Sequence, residues 1–369
     1  MKIAFFHELP YGGARRAVLE FGKQLKKDHV IDLYYLDEKE EKEVNEIFKS
    51  VFLTQFFPKV WVGHNWKAKL YKDTLEIYKL YNIHKKLAQI IDGKGYDFVF
   101  VHGSKYTQAP FLLRFLQTQS VYYCQEPLRM VYEELFDRTS SLSFGKRVYE
   151  RTTRKIRKVI DRQNIQKTRI LLANSKYTKS NIRKAYNLDA TVCYMGVDTS
   201  IFYPEKMKKK YDVLFIGSME EADGYFLLQD TIKLMEKQPK VRYVLREKEW
   251  ISDDSLMRKL YSQSKLLTCL GYKEPFGLLP IEAQACGLPA IAVNEGGYKD
   301  TVKHLVTGIL IQRDPIVLAE TIAKLLGNPS LMEKYGESAY RNVQNNWTWQ
   351  KSTENLLEII TNRKKTNRL

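Results

Sequence analysis

Two glutamates, Glu274 and Glu282, stand eight positions apart in the run EPFGLLPIEAQACGLP at residues 274–289. On one uninterrupted helix that spacing would place both carboxylates on roughly the same face. Pro275 and Gly277 break the first half of the run, so Glu274 is expected on a loop. Glu282 then falls in the first turns of an Ala-rich helix that Gly287 and Pro289 close. Such a helix aims unpaired N–H groups and a partial positive charge at whatever the loop holds. Backbone donors for phosphate, beside carboxylates that accept from hydroxyls, suit a phosphorylated and hydroxyl-rich ligand.

The elements that must position these groups read as two α/β halves. In the first, KIAFF is a buried strand, followed by a glycine turn at Gly12 and Gly13 and a helix over 14–27. Strands are expected at 30–36, 96–103, 120–124 and 169–175, with helical periodicity over 67–92. Pro204 and the lysines at 206 and 208–210 read as a linker. A second series of strands follows at 211–218, 240–246, 265–271, 289–294 and 308–312. Strands alternating with helices predict two doubly wound parallel sheets. Ligands of such sheets bind at the carboxyl ends of the strands. The Gly12–Gly13 pair is a tight turn, or a place where backbone approaches a phosphate closely.

Composition narrows the class. A chain of 369 residues with 44% hydrophobic residues suits two domains with sizeable cores. Cys124, Cys193, Cys269 and Cys286 are far apart, so neither a zinc site nor a disulfide framework is indicated, and reduced thiols fit the cytoplasm. MKIAFFHELP lacks the apolar length of a signal peptide, and no stretch approaches the roughly 18 apolar residues of a spanning helix. The net charge of +17 draws the chain toward polyanions. Residues 146–169 hold ten basic residues and two acids, with a narrow stripe of Val148, Ile156, Val159 and Ile160. They form a solvated surface helix or a contact with an anionic membrane leaflet, which would be the inner face of the plasma membrane. Segment 51–72 sets Phe52, Phe56, Phe57, Trp61 and Trp66 among lysines and reads as an interfacial segment or as a core strand and helix. No nucleic-acid-binding module is recognisable.

The Glu274–Glu282 run resembles the E-x7-E signature of retaining family 4 glycosyltransferases of the GT-B architecture. NEGG at 294–297 resembles the glycine pair that follows it. YGGARRAVLEF at 11–21, ANSKYTKSNIRKAYNL at 173–188 and YMGVDTSIFYP at 194–204 extend the resemblance, in the family's order, over nearly the whole chain. It implies an N-terminal acceptor-binding domain over 1–203, a nucleotide-sugar-binding domain over 204–345, and a segment 346–369 whose helix crosses back to the first. The two Rossmann-like domains would face each other across a cleft. It also implies a metal-independent hexosyltransferase in cell-envelope polysaccharide or glycolipid synthesis. Its donor is a sugar nucleotide, with no further cofactor, and its acceptor a lipid-linked or anionic glycan.

By the same resemblance Glu274 contacts the transferred sugar, the N–H groups around Phe276, Gly277 and Leu278 hold phosphate or sugar oxygens, and Glu282 accepts from ribose hydroxyls. Gly12 and Gly13 approach phosphate; Arg16 assists there or is an ordinary helix residue. Three positions depart from the pattern. In FIGSMEEADG, Ser218 stands where the family has Arg and Asp223 where it has Lys, so the diphosphate loses both usual cations. Arg246 and Lys273 are the candidates to replace them. In YYCQEPLRMVYE, Gln125 occupies the place of a His near the transferred sugar, while Pro127 and Arg129 are kept. Glutamine can hydrogen-bond but cannot relay a proton. His102 could compensate from a strand end, or be structural. These departures leave open a nucleotide-sugar-binding or scaffold protein of weakened catalysis. A sugar-nucleotide epimerase fits the architecture but not the E-x7-E run.

Overall fold

The computed structural model describes residues 1–39, 42–57, 66–133, 143–249 and 251–366. The chain folds as two compact units, one of Met1–Asn174, Thr178–Cys193 and Leu357–Leu369, the other of Ser175–Tyr177 and Tyr194–Leu356. The division at Cys193 precedes the boundary expected at 203. Residues 194–203 are tied into the second unit instead. The Val197 N–H donates to the Trp347 carbonyl at 2.8 Å, and the rings of Tyr194 and Trp347 meet at 5.0 Å. Within the segment expected to cross back from 346, residues up to Leu356 group with the second unit and those from Leu357 with the first.

Seven strands form the sheet of the first unit: β1 Lys2–Glu8, β2 Val30–Asp37, β3 Ser50–Gln55, β4 Phe98–Ser104, β5 Ser120–Cys124, β6 Ile170–Ala173 and β7 Thr191–Val192. All pairings are parallel, in the order β3-β2-β1-β4-β5-β6-β7. Its helices are α1 Gly13–Leu25, α2 Trp66–Tyr71, α3 Ile77–Asp92, α4 Arg129–Tyr132, α5 Phe144–Ile165 and α6 Lys176–Tyr186. Helices on both faces leave Ile3, Phe5, Phe98 and Phe100 fully buried, which is why these strands read as apolar runs and not as alternations.

The second unit carries β8 Tyr211–Gly217, β9 Val241–Leu245, β10 Ser264–Cys269, β11 Ala290–Val293 and β12 Gly308–Ile311, parallel in the order β12-β11-β10-β8-β9. Its helices are α7 Tyr225–Leu234, α8 Asp254–Gln263, α9 Leu278–Ala285, α10 Tyr298–Thr301, α11 Pro315–Leu326 and α12 Pro329–Asn346, and α13 Trp349–Thr366 is shared, its residues from Leu357 belonging to the first unit. In both sheets the order reverses once, beside β1 and β4 in the first and beside β8 and β10 in the second. Loops diverge at those points, so the carboxyl ends of these four strands are where each unit can hold a ligand.

Segment 51–72 divides differently from the interfacial reading. Residues 50–55 are the edge strand β3, Phe52 stacks on Tyr34 at 4.7 Å, and Phe56 is buried. Trp61 and the Trp66 side chain lie outside the described residues. Helix α5 is held by its inner side. Asp73 accepts from the Tyr149 hydroxyl at 2.9 Å and from Arg157 at 2.5 Å. Near its carboxyl end Asp161 is fully buried and accepts from the Ala109 N–H (3.1 Å) and the Tyr186 hydroxyl (2.7 Å). Among the described residues no helix is long and apolar enough to cross a membrane.

Burial pushes the Asp161 carboxyl up to about 7, against the two hydrogen bonds it accepts. Because the folded state holds this proton more tightly than the unfolded chain does, its contribution to stability is complete below about pH 4 and is lost as pH rises through about 7. Asp161→Asn keeps both partners without the charge. The variant should match the parent near pH 4 and exceed it by up to about 4 kcal/mol near pH 8 in urea denaturation. A parent and variant with parallel stability–pH curves would contradict a buried, proton-holding Asp161.

Candidate functional site

In the second unit, the reversal point brings together the loop after β8 (218–224) and the loop after β10 (270–277). The second loop is shaped by backbone contact. The Gly297 N–H donates to the Glu274 carbonyl at 2.7 Å, and a Cβ on Gly297 would lie 2.5 Å from the Phe276 Cα. Only glycine permits that approach. Tyr298, the next residue, is buried, and a Cβ on Gly271 would stand 3.1 Å from its hydroxyl oxygen. Burial, then the charge of Glu274, push its phenol well above the ordinary range. Sequence reading passed over Tyr298, although it directly follows NEGG.

Glu274 therefore lies on a loop and is half-buried, as the proline and glycine required. Gly277, at φ +94°, turns the chain into α9. Leu278 and Leu279 bring free-end N–H groups to its first turn, whereas Pro280 has none. Glu282 sits on α9, buried, and its Oε2 accepts from the Tyr261 hydroxyl at 3.0 Å. Tyr261, itself fully buried on α8, thus fixes the orientation of that carboxylate. Tyr261 carried no motif and was missed.

The loop after β8 is closed on itself. The Asp223 carboxylate accepts from the Ser218 N–H at 2.7 Å and from its hydroxyl at 2.5 Å. The Met219 N–H donates to both oxygens of Glu247, at 3.3 and 3.2 Å. Ser218 and Asp223, which break the expected cationic pattern, are thus partners of each other. Arg246 follows β9, and its N–H donates to the Gly217 carbonyl at 2.9 Å. Its side chain is exposed, beside the end of β8, with no hydrogen bond or ion pair among the described residues. Lys273, in the left-handed region at φ +47°, lays its ammonium 4.8 Å from the Tyr272 ring centre. Arg313, unmarked in the sequence, is committed to structure: it pairs with Glu295 at 2.9 and 3.0 Å and donates to the carbonyls of Leu270 and Gly271. Burial works against the Glu295 carboxylate, but Arg313 holds it below the ordinary range.

In the first unit, the reversal point gathers another set. Gly12, at φ +147°, opens α1, and open space surrounds the position where a Cβ would stand. Gln125, after β5, donates from Nε2 to the Ala14 carbonyl at 2.9 Å, so it sits against the first turn of α1. Arg16 is half-buried on that helix, whereas its neighbour Arg15 is buried, pairs with Glu43 at 2.6 Å and stacks on Tyr11 at 3.8 Å. Arg129 donates to Glu133 at 3.1 and 3.2 Å, so part of its charge is already answered by that carboxylate.

His102 is corrected outright as an acceptor-site residue. It is fully buried between the rings of Phe100 (4.5 Å), Tyr123 (5.7 Å) and Phe5 (6.2 Å). Burial, then the neighbouring His7, hold its imidazole well below the ordinary range. His7 is likewise buried and pushed down to about 3 by burial, Arg15 and Lys105. At the end of β1, Glu8 Oε1 lies 2.8 Å from His84 Nε2, both side chains fully buried. The Leu112 N–H donates to His84 Nδ1 at 3.2 Å, so the Nε2–H donates to Glu8.

Two parallel α/β units of these strand orders define the fold of the GT-B glycosyltransferases. Sucrose-phosphate synthase from Thermosynechococcus elongatus matches with a TM-score of 0.72 at 16% identity over 99% of both chains. The Anabaena protein HepE in complex with UDP-glucose matches with a TM-score of 0.67 at 15% identity, over 98% of this chain and 100% of that one. At such identities the likeness is one of fold. Residues 11–201 match the model of Glycosyltransferase Family 4, and residues 248–342 that of Glycosyl transferases group 1. The chain belongs to glycosyltransferase family 4. Among curated relatives, the D-inositol 3-phosphate glycosyltransferase of Salinispora arenicola is 37% identical over 101 residues, 27% of this chain and 22% of that protein. The chain spans about half of the length, or less, of curated relatives it matches.

The contact at Gly297 makes a direct prediction. Gly297→Ala should destabilise the second unit by about 1–3 kcal/mol, because backbone at Phe276 must move to admit the methyl. Chemical denaturation measures this, and a variant as stable as the parent would show that the loop does not rest on residue 297.

Proposed function

We propose that the chain is a retaining, metal-independent hexosyltransferase that takes its sugar from a nucleotide donor and passes it to a hydroxyl of a lipid-linked or otherwise anionic glycan of the cell envelope. The observation that carries this reading is the Glu274 loop, held by Gly297 at the reversal point of the second sheet, with Glu282 fixed by Tyr261 on the helix that follows. The structures of Anabaena HepE in complex with UDP and with UDP-glucose support a sugar nucleotide as donor.

In this reading the second unit binds the donor. Glu282 accepts from the ribose hydroxyls, and the N–H groups around Phe276, Gly277 and Leu278 meet phosphate or sugar oxygens. Glu274 accepts from hydroxyls of the hexose near its anomeric carbon. Transfer breaks the bond from that carbon to the phosphate oxygen and forms one to the acceptor oxygen on the same face. The acceptor proton goes to the departing phosphate. Within the first unit, Gln125 is the candidate for a sugar hydroxyl, Gly12 and Gly13 for phosphate, and Arg16 and Arg129 for acceptor charge. Ser218 and Asp223 cannot neutralise the diphosphate, so Arg246, whose fork can meet two phosphate oxygens, is the first candidate and Lys273 the second.

A second reading, a sugar-nucleotide-binding protein without turnover, is favoured by one observation: the Ser218–Asp223 pair occupies the loop where a cation is expected. Calorimetric titration with UDP-, GDP- and ADP-sugars, together with hydrolysis and transfer assays, separates the two. Binding with turnover supports the transferase, whereas binding without turnover, even with lipid acceptors, supports the second.

Glu282→Ala should weaken nucleotide binding by at least about 1 kcal/mol, roughly fivefold, while Glu274→Ala should mainly lower turnover. Arg246→Ala should reduce affinity for the nucleoside diphosphate much more than for the nucleoside alone. Unchanged titrations in the Glu282 variant would remove the ribose assignment, and unchanged diphosphate affinity in the Arg246 variant would remove the phosphate assignment.

A further inference from the structure

We propose that the outward face of α5 docks the protein on an anionic lipid bilayer. Phe144, Val148, Arg151, Lys155 and Val159 recur at helical spacing and all are exposed, with Phe144 at 82%, Val148 at 50% and Val159 at 53%. Ile156, 50% exposed, widens the apolar strip on one side. From Phe144 to Val159 the strip runs about 22 Å along the helix axis. Arg151 and Lys155 have no hydrogen bond or ion pair among the described residues. The opposite side of the same helix is consumed by Asp73, Ala109 and Tyr186, so this face is the outside of a packed element and not a helix awaiting its core.

Charge and apolarity together identify the occupant. Cations set among an aromatic and β-branched side chains suit an interface where the rings and methyls enter the acyl boundary and the cations stay at the headgroups. A second copy of this chain would bring like charge onto like charge. A nucleic acid would use the cations and leave Phe144 and Val148 without purpose. An anionic leaflet satisfies both kinds of residue and answers the net charge of +17. This face lies outside both sets of candidate donor and acceptor residues, so the proposal goes beyond the transferase reading and stands or falls separately from it.

The test is sedimentation of the full chain with vesicles of phosphatidylcholine alone or with about 30% phosphatidylglycerol, at about 0.05 M and about 0.5 M salt. Binding is expected on the anionic vesicles at low salt, weakened at least about tenfold at high salt or on neutral vesicles. Arg151→Glu with Lys155→Glu, and separately Phe144→Ser with Val148→Ser, should each lower partition about tenfold while thermal unfolding stays that of the parent. Lys324→Glu, an exposed charge on α11, should leave partition unchanged. Absence of binding to anionic vesicles at low salt would overturn the proposal. So would an equal loss in Lys324→Glu, or indifference to Phe144 and Val148. Binding to a mixed-sequence RNA that needs Arg151 and Lys155 but not Phe144, with none to vesicles, would assign the face to nucleic acid instead.

Discussion

The second unit's site depends on one close approach, that of Gly296 and Gly297 to the backbone of residues 273–276. A Cβ on Gly296 would stand 2.3 Å from the Glu274 carbonyl oxygen, and one on Gly297 2.5 Å from the Phe276 Cα. Two strands of backbone pressed this tightly leave the loop after β10 little freedom, and the hydrogen bond from Gly297 to Glu274 takes up one of its carbonyls. The consequences run along the chain. The loop delivers Gly277 in its left-handed conformation, Gly277 sets the start of α9, and α9 brings Glu282 to Tyr261. Glu274 and Glu282 are thus positioned by different means, one by a backbone clamp and the other by a phenol from a neighbouring helix.

The loop after β8 shows the opposite economy. A loop that receives an anion leaves N–H groups unpaired. Here the N–H groups of Ser218 and Met219 both donate to carboxylates of the protein itself, Asp223 and Glu247. The protein has supplied its own anions to that turn. The turn therefore presents acidic side chains, and beside the end of β8 stands Arg246, an exposed cation with no partner among the described residues. Exchanging Ser218 for Arg and Asp223 for Lys would therefore do two things at once. It would add cations, and it would strip the turn of the acceptor that closes it.

What the sequence disclosed follows from which forces are local. Buried parallel strands read as apolar runs, so ten of the twelve strands among the described residues were legible, and Pro275 with Gly277 placed Glu274 on a loop. Strand β3 stayed open between two readings because its short apolar run, Val51–Leu53, leads straight into aromatics set among lysines, and β7 escaped because Thr191–Val192 is too short to carry a pattern. The partners of the site were less legible for a physical reason. Tyr261, Tyr298, Glu247 and Arg313 act across distances in sequence of some 20 to 40 residues, through isolated side chains that impose no periodicity. His102 misled in the other direction. A histidine at a strand's carboxyl end is on the right element, but its side chain turned into the aromatic core.

The first unit's titratable groups constrain how a transfer can move its proton. Gln125 does not titrate, and burial keeps both His7 and His102 neutral at ordinary pH. Gln125 is thus a fixed, neutral hydrogen-bonding group, joined through the Ala14 carbonyl to the first turn of α1. A general base working near neutrality must sit near that pH and within reach of its proton. None of these three side chains satisfies both conditions. Under the proposed reaction, in which the acceptor's proton goes to the departing phosphate, the pH dependence of transfer should therefore show no ionisation of His7 or His102.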